Sequence, residues 1–432
     1  MMRILSVALG LILAGNAMAE SKGLSDIYNL AVANDPSLRA QIATRDAALA
    51  STEGFESRRG PTVSASISSA QTDNAMTNED SVLNTASVTV SIPIYDRSLN
   101  KQIEGARYSS SAAGAVLNTA RQSHIVTVAE AYFDVLSAER DLAAAQAEVQ
   151  ALEKQLEQAS ERLAVGIGTR VDVDQARAQL DLSKVSLIAS EVDVEAKRED
   201  LKRLVDTDFT ILKNLSDDFE ASIHRELDSN LDVLVDSHPA VIEKTNAFQA
   251  AVAKLDEARG ERWPSVSLSS TYKVSETQNS ASSDGLTSQQ NLLTLTMNVP
   301  LYGSATGSLS AAIEKAYADM VVAESRLEES RREVRRDVTI ASRNLEASAR
   351  TVEARRLAIV SAASRVEATE AAYAVGSGDI VEVLNAKKDL FAAERDFAKA
   401  RHTHVIRQLE FDQAIGDLSE SAIVRIDQYL VQ

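Results

Sequence analysis

The chain has 432 residues, a formal net charge of −18 at pH 7 and no cysteine. Without cysteine we expect no disulfide, no cysteine-ligated metal and no lipid on an N-terminal cysteine. The acidic balance argues against nucleic acid as a partner, because phosphate binding requires clustered cations. Only 16 glycines and 6 prolines interrupt a sequence rich in Ala, Leu, Val, Glu and Arg, a composition typical of long helices and coiled coils.

Residues 1–19 have the features of a secretory signal peptide. Arg3 precedes an apolar run over 4–13, and Ala17-Met18-Ala19 forms a small-residue cleavage site. We therefore expect cleavage before Glu20. No later segment reaches the roughly 18 consecutive apolar residues of a spanning helix, so the sequence predicts none after the signal.

The rest of the chain contains one pattern twice. Residues 165–180 read VGIGTRVDVDQARAQL and residues 375–390 read VGSGDIVEVLNAKKDL, while Asn34-Asp35-Pro36 has a counterpart in Ser237-His238-Pro239. Self-similarity at a long spacing indicates a duplicated architecture. The predicted divisions are a first repeat over 20–205, an irregular connector over 206–230, a second repeat over 231–416 and a short tail over 417–432.

Each repeat is predicted to contain one very long helix, a turn and a shorter helix. From Val128 to Leu163 the apolar residues follow one another at alternating steps of three and four, the heptad pattern of a left-handed coiled coil. A helix of this kind reaches roughly 100 Å. The predicted ranges are helix 97–163, turn 164–169 and helix 170–204 in the first repeat, and helix 304–373, turn 374–379 and helix 380–415 in the second. Segments 24–59 and 231–260 are predicted to be helical as well.

Ahead of each long helix the apolar period changes to two. Serine and threonine alternate there with apolar residues, and both the length and the alternation match transmembrane barrel strands. Tyr95, Trp263 and Tyr302 stand at strand ends, where an interfacial aromatic belt is expected. The predicted strands lie at about 62–72, 85–95, 264–274 and 291–302, and the polar links 73–84 and 275–290 are expected to be exposed loops.

Four strands cannot close a barrel, and an open sheet edge is not viable in lipid. If the strands span a membrane, the protein must therefore oligomerise. Three copies of four strands would supply a 12-stranded tube with pseudo-sixfold symmetry. A soluble sheet of two hairpins lying on a helical core is the alternative, because it would show the same alternation.

This layout resembles the TolC family of outer-membrane exit ducts. The resemblance rests on Asn34-Asp35-Pro36, on the strand exits Pro93-Ile94-Tyr95 and Pro300-Leu301-Tyr302, and on the second turn. There the family pattern Tyr-x-x-Gly-x-x-x-x-x-Asp/Glu-Val-Leu-x-Ala is met by Tyr373, Gly376, Glu382, Val383, Leu384 and Ala386. The implied fold is mainly α with a small β part. Internally duplicated coiled-coil hairpins and four transmembrane strands per protomer would form a trimeric 12-stranded β-barrel on an α-helical barrel.

The resemblance implies a passive channel, not an enzyme, that needs no cofactor. The family forms homotrimers in the outer membrane of Gram-negative bacteria, with a long periplasmic part. The lower end meets a periplasmic adaptor (a membrane fusion protein) and an inner-membrane transporter, in tripartite efflux pumps or type I secretion systems. By position, the resemblance assigns the periplasmic gate to Asp172, Tyr373, Asp379, Glu382 and Asn385. It assigns the adaptor-contacting turns to Val165, Gly166, Ile167, Val375, Gly376 and Ser377.

Two positions depart from the family pattern. Gly378 stands where close family members carry an arginine that ties one helix pair to its neighbour, and Asn385 stands where they often carry a second aspartate. We therefore expect that tether to be missing or replaced and the aperture ring to be less acidic. Asp379 is expected to restore some of the lost charge.

The residues alone leave three other interpretations open. Asp172 and Glu382 stand three residues after Thr169 and Asp379, as capping-box acids would. The whole chain could be a periplasmic or surface coiled-coil scaffold without transport activity. It could also be a secreted enzyme that uses Asp172 and Glu382 as a carboxylate pair, although the sequence contains no catalytic motif. The pair His402 and His404 is not expected to bind a metal, because two residues span about 200° on a helix.

Overall fold

The computed structural model of the protein describes residues 21–74, 79–216, 219–221, 231–279, 282–301 and 304–431. The predicted signal peptide, Tyr302 and residues 222–230 of the predicted connector lie outside these residues. The helices are α1 (Leu24–Asn34), α2 (Pro36–Ser57), α3 (Arg97–Ala164), α4 (Arg170–Val205), α5 (Leu231–Ser237), α6 (Pro239–Gly260), α7 (Ser304–Ala374), α8 (Ile380–Ala414) and α9 (Glu420–Asp427). The strands are β1 (Thr62–Asn74), β2 (Glu79–Tyr95), β3 (Asn214–Leu215), β4 (Ser265–Asn279), β5 (Ser282–Asn298) and β6 (Leu430–Val431). The fold is thus mainly helical with a small strand part, which confirms the predicted fold class.

Helices α2 and α6 begin at equivalent places with different chemistry. The Asp35 carboxylate caps α2 by accepting a hydrogen bond from the Ser37 N–H at 2.9 Å. In α6 the same place is taken by His238, whose Nδ1 accepts from the Ala240 N–H at 3.2 Å. A histidine can accept this bond only while Nδ1 carries no proton. Burial lowers the pKa of His238, which favours the neutral, capping form.

The long helices α3 and α7 each have two shorter helices along their length. Helix α2 lies against the first part of α3, where Arg107 and Glu56 form an ion pair at 2.6 Å, and α4 lies against the second part. Helices α6 and α8 take the corresponding places along α7, and α6 also packs along the first part of α3. Near the middle of the rod α1 ends beside the end of α4, where the Asn34 side-chain amide donates to the Val205 carbonyl at 2.7 Å. Among the described residues, no helix is both long and apolar enough to cross a membrane.

The largest apolar core lies at this middle level, and we call it the central core. Helices α1, α3, α4, α8 and α9 contribute to it together with the segment around β3. Tyr132 and Phe133 are both completely buried there, and the Tyr132 hydroxyl donates to the Lys213 carbonyl at 2.6 Å. Because both halves of the chain contribute, this core fixes the α3/α4 pair to the α7/α8 pair.

The four long strands form one antiparallel sheet in the order β1-β2-β4-β5. The register pairs Val63 with Val90 and Leu268 with Leu295. Since side chains alternate along a strand, neighbouring strands place their apolar residues on one face and their serines and threonines on the other. Strands β1 and β5 are the edges of the sheet.

The hairpins are longer than the sequence predicts. Strands β1 and β2 are separated by residues 75–78, and β4 and β5 by residues 280–281, so the predicted loops over 73–84 and 275–290 are wrong over most of their length. The antiparallel ladder is held by backbone hydrogen bonds, which continue after the apolar alternation has ended. In the other direction β5 ends at Asn298 rather than about 302, just ahead of a proline that has no N–H for the ladder.

Candidate functional site

The two helical tips have the same backbone geometry. In the turns after α3 and α7, Gly166 and Gly376 have φ of +82° and +79°, a left-handed conformation that glycine adopts at little cost. The N–H of Gly378 then donates back to the Ala372 carbonyl at 3.1 Å, and the N–H of Gly168 does the same in the first turn. The repeated glycines therefore reverse the chain within a few residues.

Gly378 occupies a site of close contact. A Cβ atom added there would lie 3.0 Å from the Ala372 Cβ and 3.1 Å from the Tyr373 nitrogen. A larger side chain at this position, such as arginine, would therefore require these neighbours to move by a few tenths of an ångström. The departure from the family pattern is matched by this local packing, so a contact between helix pairs would need another residue.

Tyr373 makes such a contact between the two tips. The Arg162 guanidinium, in the last turn of α3, lies 4.5 Å from the centroid of the Tyr373 ring, a cation–π distance. Burial raises the pKa of Tyr373; Arg162 opposes the rise, and the carboxylates of Asp172 and Asp379 add to it. The tyrosine thus lies between the two turns of one protomer. The sequence did not predict Arg162, since a basic residue in a last helical turn is ordinary and its partner is on another helix.

The acids at the starts of α4 and α8 are used differently. Thr169 Oγ1 accepts from the Asp172 N–H at 3.1 Å while the Asp172 carboxylate accepts from the Thr169 N–H at 3.0 Å, which confirms the predicted capping box. In the second turn Asp379 accepts from the Val381 N–H at 3.1 Å. The capping box predicted for Glu382 is wrong, because its carboxylate has no hydrogen bond or ion pair in the described part of the chain.

Glu382 and Asn385 form an exposed polar edge on α8. The opposite side of the helix is buried against α3 and α7 through apolar residues that are at most 4% exposed, namely Ile380, Val383, Leu384 and Ala386. Glu382 and Asn385 stand three residues apart on the exposed side, with Asp379 at the start of the same edge. The structure therefore brings Asp379, Glu382 and Asn385 together and places Asp172 and Tyr373 beside the junction of the turns.

The predicted adaptor-contacting turns are the outermost parts of the helical tips. Val165, Ile167 and Val375 are 72%, 69% and 80% exposed, and Gly166, Gly376 and Ser377 are exposed beside them. Within the described residues these large apolar side chains are therefore mostly uncovered. Clustered exposed apolar residues of this kind mark an interaction site.

The two faces of the sheet differ in chemistry. On the polar face, hydroxyl pairs link adjacent strands, as between Thr89 Oγ1 and Thr271 Oγ1 at 3.0 Å. On the apolar face, Ile67 and Leu293 are 89% and 71% exposed. Of the predicted interfacial aromatics, Tyr95 and Trp263 both lie at the helix end of the sheet, where Tyr95 opposes Val266, and both are exposed.

His402 and His404 contact different helices. The Nδ1 atom of His402 lies 2.8 Å from Ser137 Oγ on α3, and the Nδ1 atom of His404 lies 2.8 Å from Ser348 Oγ on α7. This is the separation that the helical spacing predicted. The described residues contain no group of three or more metal-ligating side chains.

Comparison with known proteins identifies the family. The sequence model of the outer membrane efflux protein family matches residues 27–206 and 231–417. The chain is similar to outer membrane protein TolC of Vibrio cholerae, with 30% identity over 422 residues that cover 94% of this chain and 93% of that protein.

Two further similarities agree with this match. The proteases secretion protein PrtF of Dickeya chrysanthemi is 22% identical over 453 residues, which cover 98% of this chain and 94% of that protein. The solved Campylobacter jejuni CmeC outer membrane channel superposes with a TM-score of 0.79 at 15% identity, covering 94% of this chain and 89% of that one. Because the family match extends over both repeats, the chain belongs to the outer membrane efflux protein family, the TolC family of channels.

Proposed function

We propose that the protein is a homotrimeric outer-membrane channel of a Gram-negative bacterium, the passive exit duct of a tripartite efflux pump or type I secretion system. The sheet carries this proposal. Its apolar face is exposed, and within the described protomer its edge strands β1 and β5 each have only one neighbour. An unpaired edge is not tolerated in lipid. Pairing β5 of one copy with β1 of the next closes the ladder, and three copies of four strands give a 12-stranded barrel.

Exposed apolar stripes on two helices support the same assembly. Below the central core the helices of one protomer are ordered α4-α3-α8-α7, so α4 and α7 are the edges. On α4, Leu182, Val185 and Val192 are 66%, 66% and 65% exposed, and on α7, Leu357 and Val360 are 55% and 66% exposed. Apolar residues at this spacing pack against another helix. In a ring of protomers α4 of one copy covers α7 of the next, which closes a helical barrel beneath the sheet.

The gate is proposed to lie at the lower end of this helical barrel. Three copies of the α8 polar edge around one axis would place three Glu382 carboxylates in a ring, with Asn385 and Asp379 next to them. Like charges held close together favour a bound cation. Tyr373 and Asp172 would hold the two turns of each protomer in register, because they lie at the junction of the turns.

The partners are proposed from the tips and from the family. Val165, Ile167 and Val375 would contact a periplasmic adaptor, which connects the duct to an inner-membrane transporter that supplies the energy. One relative is named for protease secretion, and the family model is named for efflux. Both kinds of system use a duct of this form, and the duct itself needs no cofactor.

Replacing Glu382 with glutamine tests the gate. We expect the wild-type channel in a planar bilayer to be blocked by a trivalent cation added on the side of the helical tips. Loss of three carboxylates from one ring should weaken that block by about tenfold or more, because the attraction between the cation and the ring falls with the charge of the ring. The concentration for half-block of the single-channel current measures the effect.

Glu161→Gln is the matched control. Glu161 is an exposed acid in the last turn of α3, at the same level but on the other helix pair, and its replacement should leave the block unchanged. An unchanged block in Glu382→Gln would refute the assignment of the gate. A protein without any conductance would instead favour the coiled-coil scaffold.

A further inference from the structure

Four exposed arginines lie at the helix end of the sheet, and we call them the arginine belt. Arg58 and Arg59 follow α2 and precede β1, Arg97 follows β2, and Arg262 precedes β4. The strand register brings these three junctions together, because Thr62 opposes Ser91 and Tyr95 opposes Val266. The belt therefore follows one end of the sheet, next to the exposed Trp263.

The belt arginines are held only by neutral partners. Arg58 donates to the Gln102 side chain at 3.2 Å, Arg59 to the Asn100 side chain at 2.8 Å, and Arg262 to the Ser310 hydroxyl at 3.2 Å. The Arg97 guanidinium lies 4.9 Å from the centroid of the Trp263 ring. Within the described ranges, none of the four has a carboxylate at ion-pair distance.

What distinguishes the belt is that four arginines without an ion pair lie together. Arg121 and Arg343 also have no ion pair among the described residues. The chain has 63 acidic and 45 basic residues, however, and many other arginines pair with carboxylates, as in Arg107–Glu56 at 2.6 Å and Arg198–Glu139 at 2.7 Å. Arg107 lies on the first part of α3, as Arg97 of the belt does, so carboxylates are available near the belt. Four neighbouring guanidinium groups without a counter-charge indicate that the counter-charge comes from outside the protein.

The position of the belt indicates what that anion is. The belt lies just beyond the exposed apolar face of the sheet, beside Tyr95 and Trp263, at the level where aromatic residues meet lipid headgroups. The other end of the first hairpin is acidic, since Asp73 opposes Asp80 and Asn74 opposes Glu79 in the ladder. A guanidinium with free N–H groups binds phosphate oxygens in a bidentate manner.

We propose that the arginine belt binds the phosphate groups of anionic glycerophospholipids in the membrane leaflet on the helix side, and so fixes the depth of the channel in the bilayer. This inference rests on the proposed function, because the sheet must span a membrane for the belt to reach a headgroup layer. The neutral partners orient each guanidinium without neutralising it, and Trp263 supplies the adjoining apolar contact. Closure of the barrel does not require the belt. Each protomer carries one belt of four arginines, so a trimer would present three belts.

The test compares lipid binding by the full-length protein in a neutral detergent, with native mass spectrometry as the readout. Phosphatidylglycerol is the anionic probe and phosphatidylcholine the zwitterionic one. We expect wild type to prefer phosphatidylglycerol, and the variant Arg58→Gln/Arg59→Gln/Arg97→Gln/Arg262→Gln to lose that preference by about tenfold or more, since each cation near an anionic surface contributes to binding. The double variants Arg58→Gln/Arg59→Gln and Arg97→Gln/Arg262→Gln should each show part of the loss, which keeps the test decisive if the quadruple variant does not fold.

A control variant removes the same charge far from the sheet. Arg170, Arg332, Arg336 and Arg350 have side chains that are 87%, 75%, 63% and 78% exposed, and their replacement by glutamine should leave the lipid preference intact. Equal loss in the control, or a retained preference in the belt variants, would overturn the proposal.

Displacement of phosphatidylglycerol by an equal concentration of inorganic phosphate would also overturn it, because the belt would then be a site for soluble phosphate. The conductance of all variants in phosphatidylcholine bilayers distinguishes failure of the belt proposal from failure of the proposed channel function. If wild type conducts but shows no lipid preference, only the belt proposal is refuted. If wild type forms no channels, the proposed function is refuted.

Discussion

Replacing Phe133 with alanine is expected to lower the free energy of unfolding by about 3–5 kcal/mol. The ring is completely buried in the central core, with its centroid 5.4 Å from that of Tyr132 and 5.3 Å from that of His402. Truncation removes its apolar contacts and leaves a cavity, because long helices on both sides are already close-packed and relax only partly. Urea unfolding of the protein in detergent, followed by far-UV circular dichroism, measures the change.

Phe391→Ala is the control for this substitution. Phe391 is half-buried on α8 and lines an existing cavity of about 350 Å³ between α3, α7 and α8. Truncation of Phe391 enlarges an existing cavity instead of creating a new one. We therefore expect the free energy of unfolding to fall by only about 1 kcal/mol. If both substitutions lowered the free energy of unfolding equally, the central core would not be the main contact that holds the α3/α4 pair to the α7/α8 pair.

Lowering the pH from 7 to 4 is expected to remove about 3 kcal/mol of stability through His402. Burial, followed by the charges of Arg401 and Arg140, lowers the pKa of His402 to about 4, compared with about 6.5 in an unfolded chain. Between these two values the unfolded chain binds a proton that the folded chain does not. The free energy of unfolding therefore falls as the pH drops from about 6.5 to about 4, and this contribution levels off below.

The substitution His402→Gln separates the contribution of His402 from the other causes of the fall in unfolding free energy at low pH. Glutamine can keep a hydrogen bond to Ser137 and does not titrate, so the variant should lose about 3 kcal/mol less than wild type between pH 7 and pH 4. The acid sensitivity that remains should include His124 and His238, whose pKa values burial also lowers. Unfolding curves with the same pH dependence in both proteins would show that His402 is protonated in the folded state.

The helix cap of the first turn could be predicted from the sequence, because a capping box depends only on residues three positions apart in the chain. The spacing of Thr169 and Asp172 is enough to define a capping box, and the structure has it. The same spacing fails in the second turn, since the Asp379 carboxylate accepts from the N–H of Val381, the second helical residue, instead of from that of Glu382. Glu382 is then left exposed, which fits the gate assigned to it by resemblance, although that role stays a prediction.

Features that depend on packing between distant segments could not be predicted. The sequence contains no sign that Arg162 meets Tyr373, because the contact joins the ends of two helices that lie about half the chain apart. The apolar alternation does not reveal the extra length of the hairpins, because polar residues also pair in a ladder. The arginine belt is visible only once the strand register brings Arg97 next to Trp263. The trimer was inferred from the number of strands and likewise stays a prediction.

The most direct measurement compares single cysteines on the two faces of the sheet. The chain has no cysteine of its own, so Thr89→Cys on the polar face and Val90→Cys on the apolar face each introduce one reactive thiol. If three copies form a channel lined by the Ser/Thr face, a charged, membrane-impermeant thiol reagent should reduce the single-channel current of Thr89→Cys in steps and leave Val90→Cys unchanged. Equal effects on both variants, or no ion-conducting channel in either, would contradict a transmembrane duct built from these strands.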